Sequence, residues 1–120
     1  MPYPISDASA IIAAGQSLST PVSNGGGELA SIILPSTWTA ANVTMQGSVD
    51  AVNWFEIYDA FGNEVVITGT VGVMIATDNF AGCIYLKFRS GTSAVPVTQI
   101  TASTITVIFV KKPLPGFIND

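Results

Sequence analysis

The sequence predicts an all-β protein, a single antiparallel β-sandwich. Two observations carry this reading. No window of the 120 residues repeats its apolar positions at helical spacing; the nearest, Asp7–Ala14, is too short and is cut at Gly15. Instead, roughly eight or nine short segments of about 5–8 residues, with Val, Ile and Thr prominent, are separated by turn residues. Connectors such as 36–41 are longer than tight meander turns and suit crossings between two sheets, which favours the jelly-roll form.

The elements follow in order. Met1–Ala10 holds Pro2 and Pro4 and shows no pattern, so it is expected to be an N-terminal arm. Gln16–Val22 reads as a polar strand with Leu18 and Val22 as its apolar points. Three successive glycines, Gly25–Gly27, cost too much entropy inside an element and mark a loop. Leu29–Leu34 is an apolar strand stopped by Pro35, and 36–41 is a connector around Trp38.

Val43, Met45, Gly47 and Val49 alternate with Thr44, Gln46, Ser48 and Asp50, the clearest period-2 signal. After a turn at 50–52, Asn53–Tyr58 alternates again, with Phe55 and Ile57 expected inward, as Val43, Met45 and Val49 are before them, and Trp54, Glu56 and Tyr58 on the other side. Asp59–Asn63 is a five-residue hairpin loop leading into Glu64–Thr68. Gly69–Gly72 is a turn and Val73–Ala76 a short strand. Cys83–Ser90 points Ile84, Leu86 and Phe88 inward and Tyr85, Lys87 and Arg89 outward. Gly91–Pro96 is a loop, and Thr98–Val110 is the longest extended stretch, with Ile105 and Val107 inward. The expected organisation is an arm over 1–10, a sandwich domain over 11–112 and a C-terminal tail over 113–120.

Charge is scarce. Four basic residues (Lys87, Arg89, Lys111, Lys112) stand against eight acids, with no histidine, for a net charge of −4. Charged residues make up 10% of the chain, against about 25% in an ordinary soluble domain. Such a chain lacks the cations that displace counterions from nucleic acid, so no nucleic-acid partner is expected. No run approaches the roughly 18 apolar residues of a membrane span, and no basic, apolar leader opens the chain. A soluble protein made in the cytoplasm is expected. Cys83 is the single cysteine, which excludes an intrachain disulfide, and its strand-like flanks make it a small core hydrophobe. With no imidazole to activate it, the thiol is not expected to be a nucleophile. A surface of hydroxyls and amides with few charges suits a protein packed against others.

The chemical motifs are weak. Ser48-Val49-Asp50-Ala51-Val52-Asn53-Trp54 resembles the Asp-box turn but lacks its glycine and threonine and is one residue short. A hairpin in which Asp50 and Asn53 bond turn amides is the better reading. Glu56, Asp59 and Glu64 flank one hairpin, so two could approach as a glycosidase requires, but solvated turn acids explain them better. Asp78 lacks the alternating oxygen ligands of a calcium loop, and Gly25–Gly27 lacks the spacing of a phosphate loop. No catalytic residue, metal or cofactor is expected. The weightier feature is aromatic: Trp54 and Tyr58 share one face with Glu56, and Tyr85 shares one with Lys87 and Arg89. Large aromatics beside single charges make interface centres or sugar-stacking platforms. With Trp38 and Phe117, the candidate interface or stacking residues are Trp38, Trp54, Tyr58, Tyr85, Arg89 and Phe117.

Several segments together carry a resemblance. These are Ala14-Gly15-Gln16-Ser17-Leu18-Ser19, the Gly25–Leu29 loop into Ile32-Ile33-Leu34-Pro35-Ser36-Thr37-Trp38-Thr39-Ala40-Ala41, Asn53–Asp59 with Gly62–Val65, and Leu86–Thr92 followed by Pro96-Val97. Over roughly 10–110 the chain resembles small structural proteins of tailed bacteriophages, similar to jelly-roll head decoration, or cement, proteins. The resemblance implies a virion protein on the capsid surface, partnered by the major capsid protein and homo-oligomeric, with a trimer favoured. It supplies no catalytic residues. The alternatives are a carbohydrate-binding module using Trp54, Tyr58 or Tyr85, or another structural component of a spike, fibre or neck.

Overall fold

The computed structural model describes residues 5–71, 74–76 and 84–111, with 74–76 as backbone only. These residues contain no helix and eight strands: β1 (Ile5–Ile12), β2 (Val22–Ser23), β3 (Glu28–Ile33), β4 (Val43–Ser48), β5 (Phe55–Glu56), β6 (Met74–Ala76), β7 (Tyr85–Ser90) and β8 (Ser103–Val110). They form two antiparallel sheets, ordered β1-β8-β3-β6 and β2-β7-β4-β5. Only the step from β4 to β5 stays within a sheet; every other step carries the chain across to the facing one.

Alternation builds both inner faces. In β8, Ser103, Ile105, Val107 and Phe109 are buried while the residues between them are exposed or half-buried. In the second sheet, β4 contributes Val43 and Met45 and β7 contributes Leu86 and Phe88, all buried. These close on Ala10, Ile12, Leu29, Ile32, Val107 and Phe109 from the first sheet. The register of β3 against β8 shifts between Leu29 and Ser31. A bulge there lets Leu29 and Ile32 both reach the core although they are three positions apart.

The chain departs from the sequence expectation in several places, among them Glu64–Thr68, expected as a strand but joined through the isolated bridges Tyr58↔Glu64 and Val43↔Ile67. The stretch expected as an arm is, from Ile5 onward, part of β1, which pairs along its whole length with β8 from Ile5↔Val110 to Ile12↔Ser103. The expected strand Gln16–Val22 is reduced to its end, because Ser19 turns its hydroxyl into the ladder and accepts the Phe88 amide at 2.9 Å, and Pro21 has no N–H to give. Thr98–Ser103 is likewise no strand until its last residue. Val49, Phe55 and Ile84 were expected inside and are exposed. The Ile84 amide bonds the carbonyl of Ser48, the residue already opposite Tyr85, at 3.0 Å, so the regular ladder ends there. All three stand at the margins of the sheet, where its inward face meets solvent. Ile57 is only partly buried and packs against the core. The tail 113–120 and Cys83 lie outside the described residues.

Two features hold the loops. Gly91 has φ +92, and a Cβ there would stand 2.5 Å from the Val95 carbonyl oxygen, so the 91–96 loop closes only around glycine. Gln99 is fully buried. Its Oε1 accepts from the Thr39 amide (2.7 Å) and the Ser103 hydroxyl (3.1 Å). Its Nε2 donates to the Thr39 carbonyl (3.0 Å) and to Ser90 Oγ (2.7 Å). One side chain thus ties the connector after β3 to β7 and to the start of β8, with every bonding site used.

Candidate functional site

The residues that alternation turns outward on the second sheet form one face. Thr44, Gln46 and Ser48 of β4 stand opposite Arg89, Lys87 and Tyr85 of β7, and Gln46 pairs on its other side with Glu56 of β5. The hairpin that follows runs from Tyr58 to Glu64, which bridge each other, and it turns back toward this face.

Arg89 sits at the centre and is only 7% exposed. It grips Glu56 with two parallel bonds, Nη1 to Oε1 at 2.7 Å and Nη2 to Oε2 at 2.8 Å. Its Nη1 also meets Thr44 Oγ1 at 3.3 Å and lies 3.6 Å from Glu64 Oε2. Gln46 donates to Glu56 Oε2 at 2.9 Å, and Glu64 accepts the Ser93 amide at 3.2 Å. The Arg89 hydrogen bonds hold the Glu56 carboxyl below its ordinary 4.5, against the opposing push of burial. The same bonds raise Arg89 further above its already basic value. Glu56 and Glu64 do converge, as the carboxylate spacing allowed, but on a guanidinium. That favours the Glu56 anion, the opposite of the raised pKa a glycosidase acid needs.

Beside this cluster the Lys87 ammonium lies 4.4 Å from the centre of the Trp54 ring. Trp54 and Tyr85 are half-buried, while Tyr58 is exposed. Trp54, Tyr58 and Tyr85 therefore share the face with Arg89, and Trp38 does not. Arg89 is on it by parity but is spent in the ion pair rather than offered to a ligand. Trp38 is a core residue, buried, with its Nε1 donating to the Ala41 carbonyl at 3.1 Å, as a buried indole requires. Phe117 lies outside the described residues.

No family model, curated protein or solved structure matches this chain.

The turn at 48–53 is the capped hairpin expected there. Asp50 Oδ1 accepts the amides of Asn53 and Val52, each at 2.9 Å. Asn53 donates its side-chain amide to Oδ2 at 2.8 Å. Ser48 Oγ accepts the amides of Asp50 and Ala51, and Ala51 takes the left-handed φ of 61. The Asn53 and Val52 amides hold the Asp50 carboxyl far below the usual carboxylate range. Asp59 repeats the device one hairpin later, accepting the Phe61 and Asn63 amides. Sequence reasoning missed Gln99 and the burial of Arg89, because both depend on partners distant in the chain.

Proposed function

We propose that this protein is a bacteriophage capsid decoration protein of jelly-roll connectivity that binds the assembled head lattice. One observation carries the reading. On the outer face of the second sheet, the charges of Glu56, Arg89, Glu64 and Lys87 are each engaged within the chain. Such a face can be covered by a partner without stranding an unpaired charge, the main cost of desolvating polar groups. The strand orders β1-β8-β3-β6 and β2-β7-β4-β5, with seven connections of which six change sheet, support the jelly-roll assignment. The resemblance of 10–110 to phage head proteins supports the role, and a trimer at the meeting points of major capsid subunits follows from it.

The mechanism is thermodynamic. A protein that binds the closed lattice and not its dissociated subunits stabilises the lattice by mass action. Heads made without the protein should therefore assemble but lose DNA more readily on heating or osmotic shock, and adding the purified chain should restore retention. Because attachment rests on apolar burial and backbone hydrogen bonds, it should survive about 1 M salt, where exposed ion pairs are screened. Heads that retain DNA equally well without the protein would contradict the proposal. So would release by salt alone, or micromolar glycan binding abolished by Trp54→Ala, which would favour the carbohydrate-binding alternative.

A further inference from the structure

The hairpin loop 59–63 carries the most exposed large apolar side chain among the described residues, Phe61 at 90%. The loop beneath it is closed. The Asp59 amide donates to the Asn63 carbonyl at 2.8 Å and the Gly62 amide to the Asp59 carbonyl at 3.1 Å. Asp59 Oδ1 accepts the amides of Phe61 (2.9 Å) and Asn63 (3.0 Å). Gly62 takes φ +84, a conformation that favours glycine, at the turn just after the ring. At the base, the Val65 amide bonds the Ile57 carbonyl at 3.0 Å, and Glu64 is held by Arg89 and by the Ser93 amide. A phenyl ring is thus held out on a fixed support with almost none of its surface covered.

We propose that Phe61 is an anchor that seats in an apolar pocket on a protein surface, namely the capsid lattice. The inference rests on the decoration reading. A rigid aromatic on a pre-ordered loop is the kind of residue that concentrates binding energy, because little freedom is lost when it docks. The charge around it selects the partner. The hairpin presents Asp59, Glu64 being already paired with Arg89, and the chain carries a net charge of −4. An apolar pocket with a basic rim complements it, while an anionic lipid surface repels it.

The test uses heads lacking the protein, incubated with purified full-length chain and sedimented, alongside urea denaturation of each variant. Phe61→Ala should leave the denaturation midpoint unchanged and weaken attachment by about 30-fold or more, as for an interface hot spot. Phe61→Leu should retain part of the affinity. Equal attachment of wild type and Phe61→Ala would sink the anchor alone. Failure of the wild-type chain to bind heads would sink the decoration reading and the anchor with it. Two results would overturn the assignment to a lattice pocket: loss of self-association of the chain alone in Phe61→Ala, or wild-type binding to phosphatidylcholine vesicles that Phe61→Ala abolishes.

Discussion

Phe88→Ala is expected to destabilise the protein by about 3–5 kcal/mol in chemical denaturation. Phe88 is fully buried and stands opposite Met45 in the β4–β7 ladder, so its ring is central to the layer between the sheets. Truncation removes the transfer energy of the ring and leaves a cavity. The surrounding backbone closes it poorly, because the Phe88 amide and carbonyl are bonded to Ser19 Oγ at 2.9 Å and to the Ser19 amide at 2.8 Å. The neighbouring residues expected inward make the contrast. Val49→Ala and Ile84→Ala, at exposed margins of the same sheet, should each cost less than about 1 kcal/mol. A loss below about 1 kcal/mol for Phe88→Ala would mean that the register of the second sheet is inverted.

Arg89→Met should destabilise the fold by about 3 kcal/mol at neutral pH, the low end for breaking a buried ion pair. The low end applies because Glu56 keeps 29% of its side chain exposed. The variant leaves Glu56 and Glu64 close together without their shared cation, and the pH dependence identifies this cause. In the wild type the Glu56 carboxyl is held below its ordinary 4.5, chiefly by Arg89. Its contribution to stability is complete above that value and is lost as pH falls through the lowered one. Arg89→Met removes the main cause that lowers Glu56, so the variant lacks this acid-sensitive contribution. The gap between wild type and variant should therefore hold from pH 7 to about 4.5 and narrow as pH falls below it, over the range from pH 4.5 to about 3. A gap that stays constant over this range would show that Arg89 acts through packing of its stem rather than through charge.

What the sequence made legible was local. Val43, Met45, Leu86, Phe88, Ile105 and Val107 alternate and are all buried, and the loop at 59–63 closes where Asp59 and Gly62 place it. Extent was less legible than parity. Nothing near Val49, Phe55 or Ile84 signals that the inward face of the sheet opens to solvent there. The strand Ile5–Ile12 has almost no internal pattern; its order comes from β8, roughly a hundred residues later. Arg89 was correctly placed on the outward side. Alternation cannot reveal that Glu56 and the 58–64 hairpin cover it, which turns an outward-facing cation into a buried clamp. Gln99 offered no signal at all, since a buried glutamine is tolerable only when partners such as Thr39, 60 residues away, complete its bonds.

The central claim is that the protein belongs to the head shell, and the copy number of the chain in purified particles tests it most directly. Quantified against the major capsid protein, a decoration protein is present in hundreds of copies at a fixed ratio to the lattice, and that is the result expected here. A count of a few dozen or fewer would place the chain in a neck, fibre or spike and contradict the decoration reading.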